Sequence, residues 1–263
     1  MDGSVKTWFC AFLVLLAIEA HAQTQQKVVD IPTRSGVSQR MLVLSPLEPK
    51  AAVILIPGGH GGLQIRQDGS LRWGEGNFLV RTRQLFAEHG LIVAIVDAPS
   101  DRQSPPFLSG FRQTPEHVAD IKAVIAWFRL QQKVPVWLVG TSRGTQSAAY
   151  VATELAGSDG PDGVVLSSTI LTGDKGRPVR AMPLERLRIP ILVVHHEQDG
   201  CSVCPFSAVP SLLEKLSNSP RKQLLSFKGG ENRGDPCESF AYHGFNGLEQ
   251  DVVGKISGWI LTK

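Results

Sequence analysis

The stretch Val134-Pro135-Val136-Trp137-Leu138-Val139-Gly140-Thr141-Ser142-Arg143-Gly144 sets a β-rich apolar run directly before a serine that has glycine two residues to either side. A serine held on a sharp strand-to-helix turn occupies strained backbone, and side chains two positions away would collide with it, so glycine there has a mechanical reason. The spacing marks Ser142 as a nucleophile elbow candidate. Gly-x-Ser-x-Gly arises by chance often enough that its context has to decide.

Working outward, short β-rich runs recur at 28–31, 41–44, 52–56, 91–96, 136–139, 163–167, 191–195 and 223–227. Helical patterns alternate with them from the third run onward. Thr114-Pro115-Glu116 reads as an N-cap, a proline at the first helical position and an acid in the first turn, with Val118, Ile121, Ile125 and Phe128 following on one face. The runs 52–56 and 91–96 are continuously apolar, as strands buried on both faces require. The first two runs, joined by a turn-rich stretch, read as an antiparallel edge pair. The pattern predicts a mostly parallel eight-stranded sheet with helices on both faces. No large cap domain is expected, because the longest interruption, 170–188, carries Gly173, Gly176, Pro178 and Pro183.

A serine hydroxyl needs a histidine to accept its proton and an acid to orient and stabilise that histidine. In such sheets chemistry gathers beyond the carboxyl ends of the strands. Asp199, in His196-Glu197-Gln198-Asp199-Gly200, follows the run 191–195 and is the preferred acid, with Glu197 as its neighbouring alternative. His243, in Phe240-Ala241-Tyr242-His243-Gly244-Phe245, lies between the last strand and the amphipathic 248–260 segment, and completes the order Ser, Asp, His. Pro57-Gly58-Gly59-His60-Gly61-Gly62 follows the third strand. Its glycines let backbone approach a substrate carbonyl, so the Gly59 N–H, or failing it that of His60, pairs with the Arg143 N–H as oxyanion donors.

On the residues Ile54-Leu55-Ile56-Pro57-Gly58-Gly59, Gly140 to Gly144, Val194 to Asp199 and His243-Gly244-Phe245, the chain from about Val28 onward resembles an α/β-hydrolase of the small esterase or dienelactone-hydrolase-like type. The resemblance implies Ser142 as nucleophile, Asp199 as acid and His243 as base, with no cofactor. Dienelactone hydrolases proper carry cysteine at the nucleophile position, and serine here favours an esterase. The expected function is cleavage of a small or medium carboxylic ester through an acyl-enzyme. Amide or peptide hydrolysis on the same triad is the alternative, and a non-catalytic exported binding protein keeping the fold is the alternative from another class. A binding module has no need for all three triad residues.

Cys201 stands two residues after the proposed acid and Cys237 six before the proposed base, so the triad predicts that their loops meet. A Cys201–Cys237 disulfide would pin both loops, leaving Cys204 free; Cys204–Cys237 is the alternative bridge. A zinc site built from Cys201, Cys204, Cys237 and His243 is the rival, and it would consume the general base. Arg66, Arg72, Arg81 and Arg83, between the oxyanion loop and the first covering helix, read first as solvated arginines on a surface loop, and suggest an anionic ester if they face the pocket mouth.

Residues 1–22 place Lys6 before the apolar run 8–18 and end in Ala20-His21-Ala22, the order of a cleaved secretory signal. The apolar run is well short of the roughly 20 residues that cross a bilayer. The expected product is one α/β-hydrolase domain over 23–263, exported to a periplasmic or extracellular space, without a membrane span. The formal net charge of +3 comes without a run of like charges or a basic stripe interleaved with aromatics, which argues against a nucleic acid partner.

Overall fold

The computed structural model describes residues 24–173 and 175–262; the leader expected at 1–22 lies outside the described residues. Eight strands form one sheet: β1 (Gln25–Arg34), β2 (Val37–Ser45), β3 (Ala51–Ile56), β4 (Leu91–Val96), β5 (Val136–Thr141), β6 (Gly163–Ser167), β7 (Ile191–His196) and β8 (Lys222–Phe227). All eight contain the runs read from the sequence. Their order is β1-β2-β4-β3-β5-β6-β7-β8, with β2 antiparallel to both its neighbours and β3 to β8 mutually parallel.

That order contains a reversal. The chain steps from β3 to β4 on one side and then returns across β3 to lay β5 on the other. Parallel sheets open a crevice beyond the strand ends at such a switch point. The loops leaving β3 and β5 carry Gly58-Gly59 and Ser142 respectively, so topology alone sets these two segments side by side.

Both faces of the sheet are covered, which explains the uninterrupted apolar strands. In β3, Ala52, Ile54 and Ile56 join the core beneath α3 (Pro115–Gln132), α4 (Arg143–Glu154) and α5 (Val209–Lys215), whereas Ala51, Val53 and Leu55 join the core beneath α1 (Phe78–Arg81), α2 (Arg83–Glu88) and α6 (Glu249–Leu261). Each such fully buried Ile, Leu or Val contributes about 1.5–3 kcal/mol relative to exposure. The α3 start matches its sequence signals: Thr114 Oγ1 accepts from the His117 N–H at 3.3 Å, and Pro115 opens the helix. Between β6 and β7 the regular elements among the described residues are two single turns, Val179–Ala181 and Leu184–Arg186, and no large cap rises there. Among the described residues no helix is long and apolar enough to cross a membrane.

Candidate active site

Ser142 joins β5 to α4 with φ +51° and ψ −125°, a left-handed strained geometry for a residue bearing a side chain. Its N–H is anchored on the Ser167 carbonyl at the end of β6, 3.0 Å away. The glycines around it are required by backbone contacts rather than by the serine itself. A Cβ on Gly144 would lie 2.0 Å from the Ile56 oxygen, and one on Gly140 would lie 2.5 Å from the Gly144 oxygen. The glycine that crowds the serine is a third one, Gly58, whose Cβ would come within 2.9 Å of Ser142 Cβ.

The loops after β7 and β8 deliver the other two candidates. His243 Nδ1 lies 2.9 Å from Asp199 Oδ2, and both side chains are buried. Asp199 Oδ1 accepts from the Cys201 N–H at 2.9 Å, which fixes the carboxylate plane. With Nδ1 committed, His243 Nε2 is the remaining ring nitrogen; it is buried and without a hydrogen-bond partner. Ser142 and His243 line one cleft of about 320 Å³ together with Gly58, Gly59, Trp73 and Asn77. The base loop is held from below by Ser168 Oγ, which donates to the His243 carbonyl at 2.6 Å, and from the side by Arg81, which donates to the Gly244 carbonyl at 2.6 Å.

Glu197 is engaged elsewhere, accepting from Ser226 Oγ at 3.0 Å and pairing with Lys228 at 3.1 Å, so Asp199 is the acid that meets the histidine. The neighbouring histidines have structural work. His195 Nε2 accepts from the Thr169 N–H at 3.1 Å, and burial pushes its pKa down to about 4. His196 stacks on Tyr242 with centroids 4.3 Å apart.

Gly59 lines the cleft, with φ +59° and no room for a Cβ, which would sit 2.5 Å from the Trp73 ring. Its N–H and that of Arg143, at the orphan-donor end of α4, have no acceptor among the described residues. His60 is not among the cleft-lining residues: its ring is sandwiched between Trp73 and Phe107 at 3.8 and 4.4 Å, and its Nδ1 accepts from the Gly62 N–H.

Two residues that sequence reading missed hold this loop. Asp97, directly after β4, accepts from the N–H groups of Leu63, Gln64, Ile65 and Ala98 at 2.7 to 3.1 Å. Its place at a strand's carboxyl end was a usable signal. Arg112 donates to the Pro57 and Gly59 carbonyls at 3.0 and 3.2 Å, and nothing in its sequence surroundings marks it.

Cys201 and Cys237 are disulfide-bonded, tying the acid loop to the base loop across 36 residues, and Cys204 is free and buried. Cys201, Cys204 and His243 do gather closely enough to suggest a metal, but the bridge removes the Cys201 and Cys237 thiolates that the zinc arrangement would need. The expectation for the arginine-rich loop is corrected. None of Arg66, Arg72, Arg81 or Arg83 lines the cleft; that loop contributes Trp73, Asn77 and Phe78 instead. For three of them the reason is internal pairing: Arg81 turns to Glu249 at 2.9 Å, Arg83 to the Val80 carbonyl and Arg66 to Ser70 Oγ.

No family model matches the chain, and no curated protein matches it in sequence. Solved structures do. A dienelactone hydrolase from Anabaena variabilis matches with a TM-score of 0.64 at 13% identity, covering 91% of this chain and 98% of that one. An esterase from Pyrococcus furiosus matches at 0.65 and 14%, covering 90% and 92%. An α/β serine hydrolase without a lid from Xanthomonas campestris matches at 0.54 and 16%, covering 89% and 95%. The chain has the α/β-hydrolase fold, and among the described residues no large cap is added to it.

Proposed function

We propose that this chain is an exported serine hydrolase that cleaves a small or medium carboxylic ester through an acyl-enzyme on Ser142. The observation that carries the reading is the 2.9 Å contact of His243 Nδ1 with Asp199, which leaves Nε2 as the uncommitted ring nitrogen of a residue that lines the same cleft as Ser142. Ser142 Oγ attacks the ester carbonyl carbon while His243 Nε2 takes its proton. Asp199, held by the Cys201 N–H, stabilises the resulting imidazolium. Negative charge gathers on the former carbonyl oxygen, where the Gly59 and Arg143 N–H groups receive it, each worth about 3 kcal/mol in the transition state. Collapse expels the alcohol, which takes the proton from His243; water, deprotonated by His243, then attacks the acyl-enzyme, releasing the carboxylic acid and returning the proton to Ser142 Oγ.

Export rests on the leader-like order of residues 1–22 and is supported by the disulfide, since such bridges persist in oxidising compartments. The test of the catalytic reading is labelling by a fluorophosphonate. Wild-type protein is expected to label and to turn over short acyl esters, with both lost in Ser142→Ala and labelling strongly slowed in His243→Ala. Labelling that persists in Ser142→Ala, or none in wild type, overturns it.

A further inference from the structure

A second pocket, of about 470 Å³, abuts the Ser142 cleft and shares Gly59 and Arg143 with it. Three cations line it, Arg112, Arg143 and Lys175, and among the described residues no acid does. Arg112 is 5% exposed, yet among the described residues its guanidinium meets only neutral acceptors: Ser147 Oγ at 3.0 Å and the carbonyls of Pro57, Gly58 and Gly59. A compensated arginine in the same chain looks different, for Arg34 pairs with both Asp101 and Asp120. Arg143 likewise reaches neutral oxygens, the Lys175 carbonyl at 2.7 Å and Gln146 Oε1 at 3.4 Å.

The cationic wall is built, not incidental. Gln146 Nε2 donates to the Lys175 and Arg177 carbonyls at 3.1 Å each, and Gln113 donates to the Arg177 carbonyl and accepts from its N–H. These side-chain amides staple the strap carrying Lys175 to α4 and to the start of α3. Burial, followed by the like charge of Arg143, pushes the Arg112 pKa down to about 9, as suits a buried cation with no counter-charge among the described residues. Leu108 adds an apolar wall that suits an aliphatic spacer.

We propose that this pocket is an anion subsite, and that the preferred esters carry a carboxylate a short aliphatic spacer away from the scissile carbonyl, seated on Arg143 and Lys175 above the buried charge of Arg112. The inference rests on the serine hydrolase reading. A carboxylate there forms charge-assisted hydrogen bonds in a site partly shielded from salt. It also supplies the counter-charge that the described pocket residues do not.

The test compares near-isosteric carboxylate and carboxamide pairs: 4-nitrophenyl hydrogen glutarate against the 4-nitrophenyl ester of glutaramic acid for an acyl-side anion, and 4-acetoxybutanoate against 4-acetoxybutanamide for an alcohol-side one. The readout is the ratio of kcat/KM, anionic over neutral, within each protein, which does not depend on the folded fraction. In wild type at low salt at least one ratio is expected to reach about tenfold, and to fall only in part at high salt. Lys175→Gln is expected to lower that ratio several-fold while leaving the neutral ester unchanged; Arg143→Gln, which keeps the backbone N–H, lowers it as well. Ratios near one for both pairs, with Ser142-dependent turnover of the neutral esters intact, overturn the subsite and leave the hydrolase reading standing. If Ser142 neither labels nor turns over ester, the hydrolase reading fails, and calorimetric titration of glutarate and glutaramide into Ser142→Ala protein then decides the subsite. Glutarate binding about tenfold tighter, and lost on adding Lys175→Gln, supports it; equal or absent binding overturns it.

Discussion

Replacing Gly144 by alanine tests whether the elbow is held rigidly against the end of β3. The added Cβ would stand 2.0 Å from the Ile56 oxygen, 2.9 Å from its carbonyl carbon and 3.0 Å from the Pro57 oxygen. All three are backbone atoms of a central strand and its exit, so no side chain can swing aside. Restoring ordinary contact needs roughly 1 Å of separation between the start of α4 and β3, a typical overpacking cost being about 1–3 kcal/mol. The same movement carries Ser142 and the Arg143 N–H away from Gly59 and His243. A 1 Å misplacement of a reacting group costs about a hundredfold in rate. The fluorophosphonate labelling rate constant of Gly144→Ala is therefore expected to fall about a hundredfold, with a lowered urea midpoint. Gly258→Ala is the control. It sits on α6 with nothing within 4 Å of its Cβ position and is expected to gain about 0.5–1 kcal/mol with unchanged labelling. A Gly144→Ala protein that labels and unfolds like wild type would refute the close-approach argument.

Asp97→Asn keeps one acceptor oxygen but turns an NH₂ toward a backbone N–H of the Leu63–Ile65 loop, and is expected to cost about 1–3 kcal/mol and to slow labelling, measured on the same two assays. The double change Cys201→Ser, Cys237→Ser is expected to lose about 3–4 kcal/mol by the loop-closure argument, and to abolish the sensitivity of the urea midpoint to reductant. Burial pushes the His117 pKa down to about 3 and that of His195 to about 4, so each is neutral in the folded chain while the unfolded chain binds its proton below about pH 6.5. Their contribution is intact above pH 6.5 and falls by about 1.4 kcal/mol per pH unit for each histidine as pH drops from there toward 4. Urea unfolding across that window in wild type and His117→Gln checks it: the variant's slope against pH is expected to be shallower by about one proton.

Strand positions were legible because burial on both faces leaves no polar position in β3 or β4, a signal that needs no tertiary knowledge. The arginine loop misled for the complementary reason. A run such as Arg66 to Arg83 advertises charge, but where each guanidinium points depends on partners far along the chain, as Arg81 shows by reaching Glu249 and Gly244. Arg112 and Lys175 lay outside any motif, and only folding places them beside Arg143.

By itself the sequence determined what is local: apolar runs long enough for strands, glycines where backbone must pass close, and the order of a serine, an acid and a histidine along the chain. Tertiary structure decided which acid meets His243, which glycine loop borders Ser142, and which cations line the pocket beside it. The physical reason is range. Strand propensity and elbow strain act over a few residues, whereas a 2.9 Å contact between residues 199 and 243 exists only once six parallel strands have set their exit loops side by side.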